Sequence, residues 1–367
     1  MRPVRILFLD YTNGIGIGGG QRSLALLIRH LPRDRYQPIV ACPPGERFRE
    51  LVPPSVPTFD LPLSPAFTAA NRVAGAPLSY ARALASVSST ATGLRRLLST
   101  QQIDLIHANN FKMHVLAKLA SVGRRIPVLW HVRDIFPEQT SGWLRLGGRA
   151  ADRVLTVSQA VAAQFGDNDR VSVLYNAVEL PAEPERRELG RAPVIGYVGR
   201  LDAGKGLDTL VSAFFGLLGR HPQARLLLVG EGPERRSIPS HPAIEVLGFQ
   251  ADVAAAWRRI DICVQPSNQP DSFPRAVIEA MSWAKPVVGA AIGGIPEAIE
   301  EGSTGLLFKP GDAAGLGARV EALLRHPGRA REMGLAGRRR CESLFSISAQ
   351  IQQLTKIYEA TYALCHP

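Results

Sequence analysis

Arg200 and Lys205 stand five residues apart in the segment GYVGRLDAGKG, Gly196 to Gly206. From Gly199 the spacing follows a phosphate-binding P-loop, in which glycine-rich backbone cradles phosphates and a Ser or Thr after the lysine holds magnesium. Gly206 takes the place of that hydroxyl, and no Walker B partner is apparent, which argues against an ATPase. Two readings of the cations remain. At a turn from strand to helix they can clamp a diphosphate without a metal, or they are solvated surface charges, the usual state of Arg and Lys.

A second group lies in PSNQPDSFPRAVIEAMSWAKPVV, where Asp271 and Glu279 are separated by seven residues. Pro274 has the position expected just inside a helix start, with Asp271 and Ser272 as candidate caps. Glu279 then falls among Ile278, Ala280 and Met281, an apolar setting in which a carboxylate needs a partner. Ribose hydroxyls would serve, and so would a nearby arginine. His107 in DLIHANN and His131 in LWHVRD fall at strand carboxyl ends, which favours ligand contact over the core. Gly14, Gly16 and Gly19 match GxGxxG, but the second strand ends IVACPPG, without the acid that a dinucleotide site places on ribose. The glycine-rich loop still opens a helix, where free amides and the dipole suit an anion or a close-lying sugar. GDND (Gly166–Asp169) resembles a metal-binding DxD, but it joins a helix to a strand at the wrong sheet edge and is read as a turn.

The elements that position these residues repeat one rhythm twice. VRILFLD, YQPIVAC, IDLIHAN, PVLWHVRD, RVLTVS and VSVLYN read as strands in the first half. VIGYVGR, ARLLLVG, IEVLGF, DICVQPS, KPVVGA and TGLLFKP do so in the second. Near-continuous Val, Ile and Leu indicates strands buried on both faces, as in parallel sheets. Between them lie helices such as LDTLVSAFFGLLGRH, with Leu207, Leu210, Val211, Phe214, Leu217 and Leu218 on one stripe. The polar, proline-bearing ELPAEPERRELGRAP reads as a linker, which gives domains of residues 1–177 and 178–345. A last helix, 346–367, is free to pack back on the first domain. Pro53–Leu78, rich in proline and poor in periodicity, reads as a long functional loop.

The chain has 367 residues, 46% hydrophobic and 20% charged, which suits two domains with real cores. Of the net charge of +11, residues 1–177 carry +10, so the first half is expected to face something anionic unless the excess is a general solubility charge. Aromatics are only 7%, too few to interleave with the basic residues as nucleic-acid binding requires. The opening apolar run is too short for a signal peptide, and no stretch approaches a membrane span. Cys42, Cys263, Cys341 and Cys365 are scattered and suggest neither a zinc site nor a disulfide framework, which fits a reducing cytoplasm.

In order, GGGQRSL, LYNAVEL, GYVGRLDAGKGLDTL, LLLVGEGPER, DSFPRAVIEAMSWAKPVV and GGIPEAIEEGSTGLLFKPGD resemble the glycosyltransferase family 4 group of nucleotide-sugar transferases, over nearly the whole chain. The resemblance implies an α/β chain of GT-B architecture: two Rossmann-like parallel-sheet domains facing across a cleft, with acceptor on the first and donor mainly on the second. It implies transfer from a nucleotide sugar, such as a UDP- or GDP-sugar, to a glycan or lipid-linked acceptor. It also implies that anomeric configuration is retained and that neither metal nor cofactor is used. Peripheral association with the inner face of the cell membrane is expected, and nucleic acid is not. The catalytic set becomes His131, Arg200, Lys205, Asp271 and Glu279. The resemblance implies that the donor is held by Gly18, Gly19, Arg200, Lys205, Phe273, Pro274, Arg275 and Glu279, with Glu279 on the ribose. Two departures stand out. Asp271 replaces the family's first glutamate, one methylene shorter, and Pro274 replaces a common glycine and removes an amide. A weakened relative that only binds carbohydrate or nucleotide is the alternative.

Overall fold

The computed structural model describes residues 2–12, 17–64, 90–138, 141–182 and 192–365, apart from the side chains of 141 and 143. The chain divides into two compact units. The first comprises Met1–Val157, Val161–Leu174 and Ile351–Pro367, and the second Ser158–Ala160 and Tyr175–Gln350. The sequence pattern places the boundary after residue 177, three residues past Leu174. The chain re-enters the first unit within the helix Ile347–Ala363.

Seven strands form the first sheet: β1 Val4–Leu9, β2 Tyr36–Cys42, β3 Thr58–Asp60, β4 Leu105–Ala108, β5 Val128–Val132, β6 Arg153–Thr156 and β7 Val171–Val173. All pairings are parallel, in the order β3-β2-β1-β4-β5-β6-β7. The second sheet holds β8 Val194–Val198, β9 Arg225–Val229, β10 Ile244–Gly248, β11 Ile262–Gln265, β12 Val287–Ala290 and β13 Gly305–Phe308. It is parallel throughout, in the order β10-β9-β8-β11-β12-β13. Strand order therefore reverses next to β1 in one sheet and next to β8 in the other. In open α/β sheets such a reversal leaves a crevice beyond the strand carboxyl ends, because flanking connections run to opposite faces.

The apolar runs are buried as their composition demands. Ile6, Leu7, Phe8 and Leu9 of β1 are fully enclosed, as are Ile262, Cys263 and Val264 of β11. Helix Leu207–Leu218 buries Leu207, Leu210, Phe214 and Leu217 as its stripe predicts, together with Thr209 and Ala213, while Val211 and Leu218 are only half-buried. Leu354 and Tyr358 of the C-terminal helix lie in the same hydrophobic cluster as Phe8, Leu105 and Leu129. The four cysteines are free.

Pro53–Leu78 is not a loop throughout. Thr58–Asp60 adds an edge strand parallel to β2, with Val40 opposite Thr58, and three residues at an edge carry too little pattern to be read. Residues 65–78 of that stretch, Gly14, Gly16 and most of the linker lie outside the described residues.

Candidate functional site

In the second unit, the loops after β8 and β11 meet at the strand-order reversal. The turn after β8 runs Gly199–Gly206 and opens the helix Leu207–Leu218. Backbone amides of Asn268 and Gln269 both donate to the Gly204 carbonyl, at 2.9 and 3.1 Å, which locks the two loops together. Gly206 caps the helix at φ 70°, and a Cβ there would collide with the Pro266 carbonyl. Only glycine meets both demands, a left-handed backbone and a vanishing side chain. This is the physical reason for the glycine that replaces the P-loop hydroxyl.

The turn aims two cations. Lys205 Nζ donates to Asp271 Oδ2 at 2.5 Å, and Arg200 pairs with Asp202 at 2.6 Å while remaining half-exposed. Asp271 does not cap the following helix; neither it nor Ser272 makes a cap hydrogen bond. A full opposite charge from Lys205 outweighs a backbone amide as partner for the carboxylate. Pro274 is itself the N-cap, in extended conformation, with the helix spanning Arg275–Ser282. Glu279 accepts an ion pair from Arg275 at 3.1 Å, one turn away and mostly buried, so an arginine is its partner here. Arg275 also donates to the Ala177 carbonyl at 2.8 Å, and Asn176 donates to the Phe273 carbonyl at 3.0 Å. Phe273 is buried and packs against Tyr175 and Phe345. Of the second-half residues singled out from sequence, Lys205 and Asp271 are joined, as are Arg275 and Glu279. Arg200 faces its own turn.

In the first unit, His131 and His107 are fully buried rather than presented at a strand edge. His107 Nε2 lies 3.0 Å from His131 Nδ1, and His107 Nδ1 lies 2.6 Å from the Tyr358 hydroxyl. Arg133 Nη2 is 3.2 Å from the same His131 Nδ1, and its Nε donates to Asn109 at 2.5 Å. Asn109 in turn donates to Asp10 at 2.7 Å, and Gln21 donates to the other oxygen at 3.4 Å. Gly18 caps the helix Gly19–His30, and its amide donates to Gln21 at 3.1 Å. A Cβ on Gly20 would press on the Arg133 side chain. The glycine loop thus lies over a buried polar chain running from Asp10 to Tyr358.

Sequence reasoning missed Asp10, Asn109, Arg133 and Tyr358. An acid closing LFLD and the pair in HANN were legible signals, because both end strands flanking the reversal. Burial pushes the Asp10 carboxyl up to about 6, opposed by hydrogen bonds from Asn109 and Gln21 and by the Arg133 charge. Among the described residues, no group of three or more His, Cys, Asp or Glu is assembled as for a metal ion.

Two family models divide the chain between them. Residues 17–181 match Glycosyltransferase Family 4, and residues 192–326 match Glycosyl transferases group 1. The chain belongs to the family 4 glycosyltransferases. Its similarity to alpha-maltose-1-phosphate synthase of Mycolicibacterium smegmatis is 28% identity over 76% of this chain and 84% of that protein. With sulfoquinovosyl transferase SQD2 of Arabidopsis thaliana it shares 29% identity over 65% of this chain, and the match spans only 53% of that relative. Among solved structures, Anabaena HepE in complex with UDP and glucose superposes at a TM-score of 0.77 with 25% identity, covering 97% of this chain and 99% of that one. The glycosyltransferase is therefore of GT-B type, and its two parallel sheets are the two halves of that architecture.

In this glycosyltransferase a carboxyl raised by burial has a definite linkage signature. Asp10 contributes stability below the unfolded-state value near 4 and loses it as pH rises through about 6. Urea unfolding between pH 4 and 7 should show the wild type losing on the order of 3 kcal/mol relative to Asp10→Asn. A difference that stays constant with pH would contradict this.

Proposed function

We propose that the protein transfers a sugar from a nucleoside-diphosphate sugar to a glycan or lipid-linked acceptor, retaining anomeric configuration and using no divalent ion. The observation that carries this is the turn at the β8/β11 reversal, where Lys205 immediately precedes the N-cap of the Leu207–Leu218 helix and pairs with Asp271, and Arg200 lies half-exposed in the same turn. The presence of UDP and glucose in the Anabaena HepE structure supports a donor of this class. As the glycosidic bond breaks, negative charge collects on the departing diphosphate. Cations and helix amides fixed in advance stabilise that charge without reorganising.

The chemistry then needs only the donor and acceptor themselves. The acceptor hydroxyl oxygen bonds the anomeric carbon on the face from which the phosphate leaves. Its proton passes to the departing phosphate oxygen. Glu279 is the ribose partner in this reading, exchanging its Arg275 contact for ligand hydroxyls, and Asp271 positions Lys205. His131, Gly18 and Gly19 belong to the sugar side, and Phe273, Pro274 and Arg275 to the donor loop. A second reading is favoured by one contact. The Lys205 charge is already partnered by Asp271, the residue that departs from the family pattern, so a weakened, binding-only relative is the competing outcome. Transfer or hydrolysis of a nucleotide sugar separates the two.

The acceptor side of the proposal rests on the first unit. Helix Phe111–Ser121 exposes Phe111, Val115 and Leu119 at four-residue spacing, and Val122 follows at 59% exposure. Arg95 donates to the Val122 carbonyl and Arg124 to Ser99, placing cations at the C-terminal end of this apolar stripe. An apolar helix face with arginines at its C-terminal end suits the headgroup region of an anionic membrane. No helix among the described residues is long and apolar enough to cross a membrane. The proposed setting is the cytoplasmic face of the cell membrane, in cell-surface polysaccharide or glycolipid biosynthesis.

Replacing Lys205 or Arg200 with Ala should cut turnover by about 10²–10³-fold, the scale of losing one fixed charge-stabilising donor. Near-normal rates in both variants would remove the mechanism. In flotation with acidic liposomes, the protein should bind at low salt, release at high salt, and bind poorly as Leu119→Glu. No binding at low salt would remove the membrane assignment.

A further inference from the structure

The buried chain in the first unit has one consistent proton assignment. A guanidinium donates and never accepts, so the 3.2 Å contact from Arg133 Nη2 makes His131 Nδ1 an acceptor. The proton of the neutral His131 ring is then on Nε2. His107 Nε2, 3.0 Å from that same Nδ1, must carry a hydrogen and share the lone pair with Arg133. His107 Nδ1 is therefore an acceptor, and the Tyr358 hydroxyl at 2.6 Å donates to it. The opposite tautomers would set an His131 N–H against the guanidinium. Burial, together with Arg133, holds both imidazoles well below their ordinary range, so both rings are neutral. Burial also holds the Tyr358 hydroxyl protonated.

We infer that Arg133 is the positioning residue which, through a chain completed by His107 and Tyr358, fixes His131 as the neutral tautomer that offers an Nε2–H donor to an uncharged sugar oxygen. The end of the chain left over by this network is His131 Nε2, which is buried and has no hydrogen-bond partner among the described residues. A buried donor without a partner is costly and marks a place where a ligand group completes the bonding. The assignment decides what His131 does. An imidazole protonated on Nε2 donates to a hydroxyl or ring oxygen but has no lone pair there to take the acceptor's proton. That fits the transfer reading above, in which the departing phosphate takes the proton. It also gives the C-terminal helix a role, since Tyr358 is carried on it. The sugar oxygen as ligand rests on the transfer reading above; the tautomer does not.

The groups facing His131 are Arg133, His107 and His114, with Asp10 coupled through Asn109. His114 is itself fixed, its Nε2 reaching the Ala108 and His131 carbonyls at 3.0 and 3.2 Å. Nitrogen NMR of the full-length protein labelled with ¹⁵N-histidine, assigned with His107→Gln and His114→Gln, reads the tautomer directly. The expected His131 pattern is a protonated Nε2 and bare Nδ1, unchanged across the pH range in which free histidine titrates. In Arg133→Met, which removes the guanidinium from Nδ1, His131 and His107 should populate both tautomers, and kcat should fall about five- to tenfold while donor KM holds. A proton on His131 Nδ1, or a free-histidine titration of His131, overturns the inference even if the enzyme transfers sugar. So does an Arg133→Met protein with a wild-type His131 pattern. The expected tautomers without any transfer activity would instead count against the sugar-transfer reading and leave the positioning assignment standing.

Discussion

Backbone meeting backbone without room for a Cβ is the constraint that the second-unit site depends on. At Gly206 the obstacle is the Pro266 carbonyl, at Gly230 the Gly199 carbonyl, at Gly293 the Asp271 backbone and at Gly294 the Ser272 carbonyl. These contacts bind the loops after β8, β9, β11 and β12 into one edge. The Gly294 amide donates to the Asp271 carbonyl at 2.7 Å, so the residue that holds Lys205 is itself held by main chain. Side chains carried on such an edge have few ways to move. In the proposed mechanism, that rigidity would let fixed charge act on a reacting group without reorganising first.

The first unit solves a different problem by different means. Its strand ends at the β1/β4 reversal are filled with polar groups removed from water, each of which needs a partner. Asp10, Asn109, Arg133, His131, His107 and Tyr358 supply one another in sequence. Charge is kept off the imidazoles by burial beside a guanidinium. The result is neutral and directional, suited to uncharged hydroxyls. The second unit presents cations suited to phosphate. In the transfer reading proposed here, these would be the two chemistries that a nucleotide-sugar donor calls for, on two sheets that share the strand order 3-2-1-4-5-6.

What the sequence made legible follows from how strongly each feature depends on local pattern. Continuous apolar runs announced the parallel strands, since a strand buried on both faces has no polar alternation to confuse it. Edge strand Thr58–Asp60, with three residues, had no such signal. Arg200, Lys205, Asp271 and Glu279 stood out because glycine, charge and spacing mark a strand–helix turn. Their pairings were not legible. Lys205 and Asp271 are brought together by strand adjacency of β8 and β11, which local sequence does not encode. The depth of His107 and His131 was misjudged for the same reason: a strand-end position says nothing of what later covers it, here including the C-terminal helix. Pro274 was one residue out, as N-cap rather than first helical residue, because proline's fixed φ suits both places.

The central claim is that fixed side-chain cations, and no divalent ion, stabilise the diphosphate as the sugar leaves. It is tested most directly by following sugar release from a nucleotide sugar by metal-stripped protein in excess chelator. The account predicts a rate equal to that of untreated protein and unaltered by added magnesium or manganese. Loss of activity in chelator, recovered only when one of those ions is restored, would contradict it.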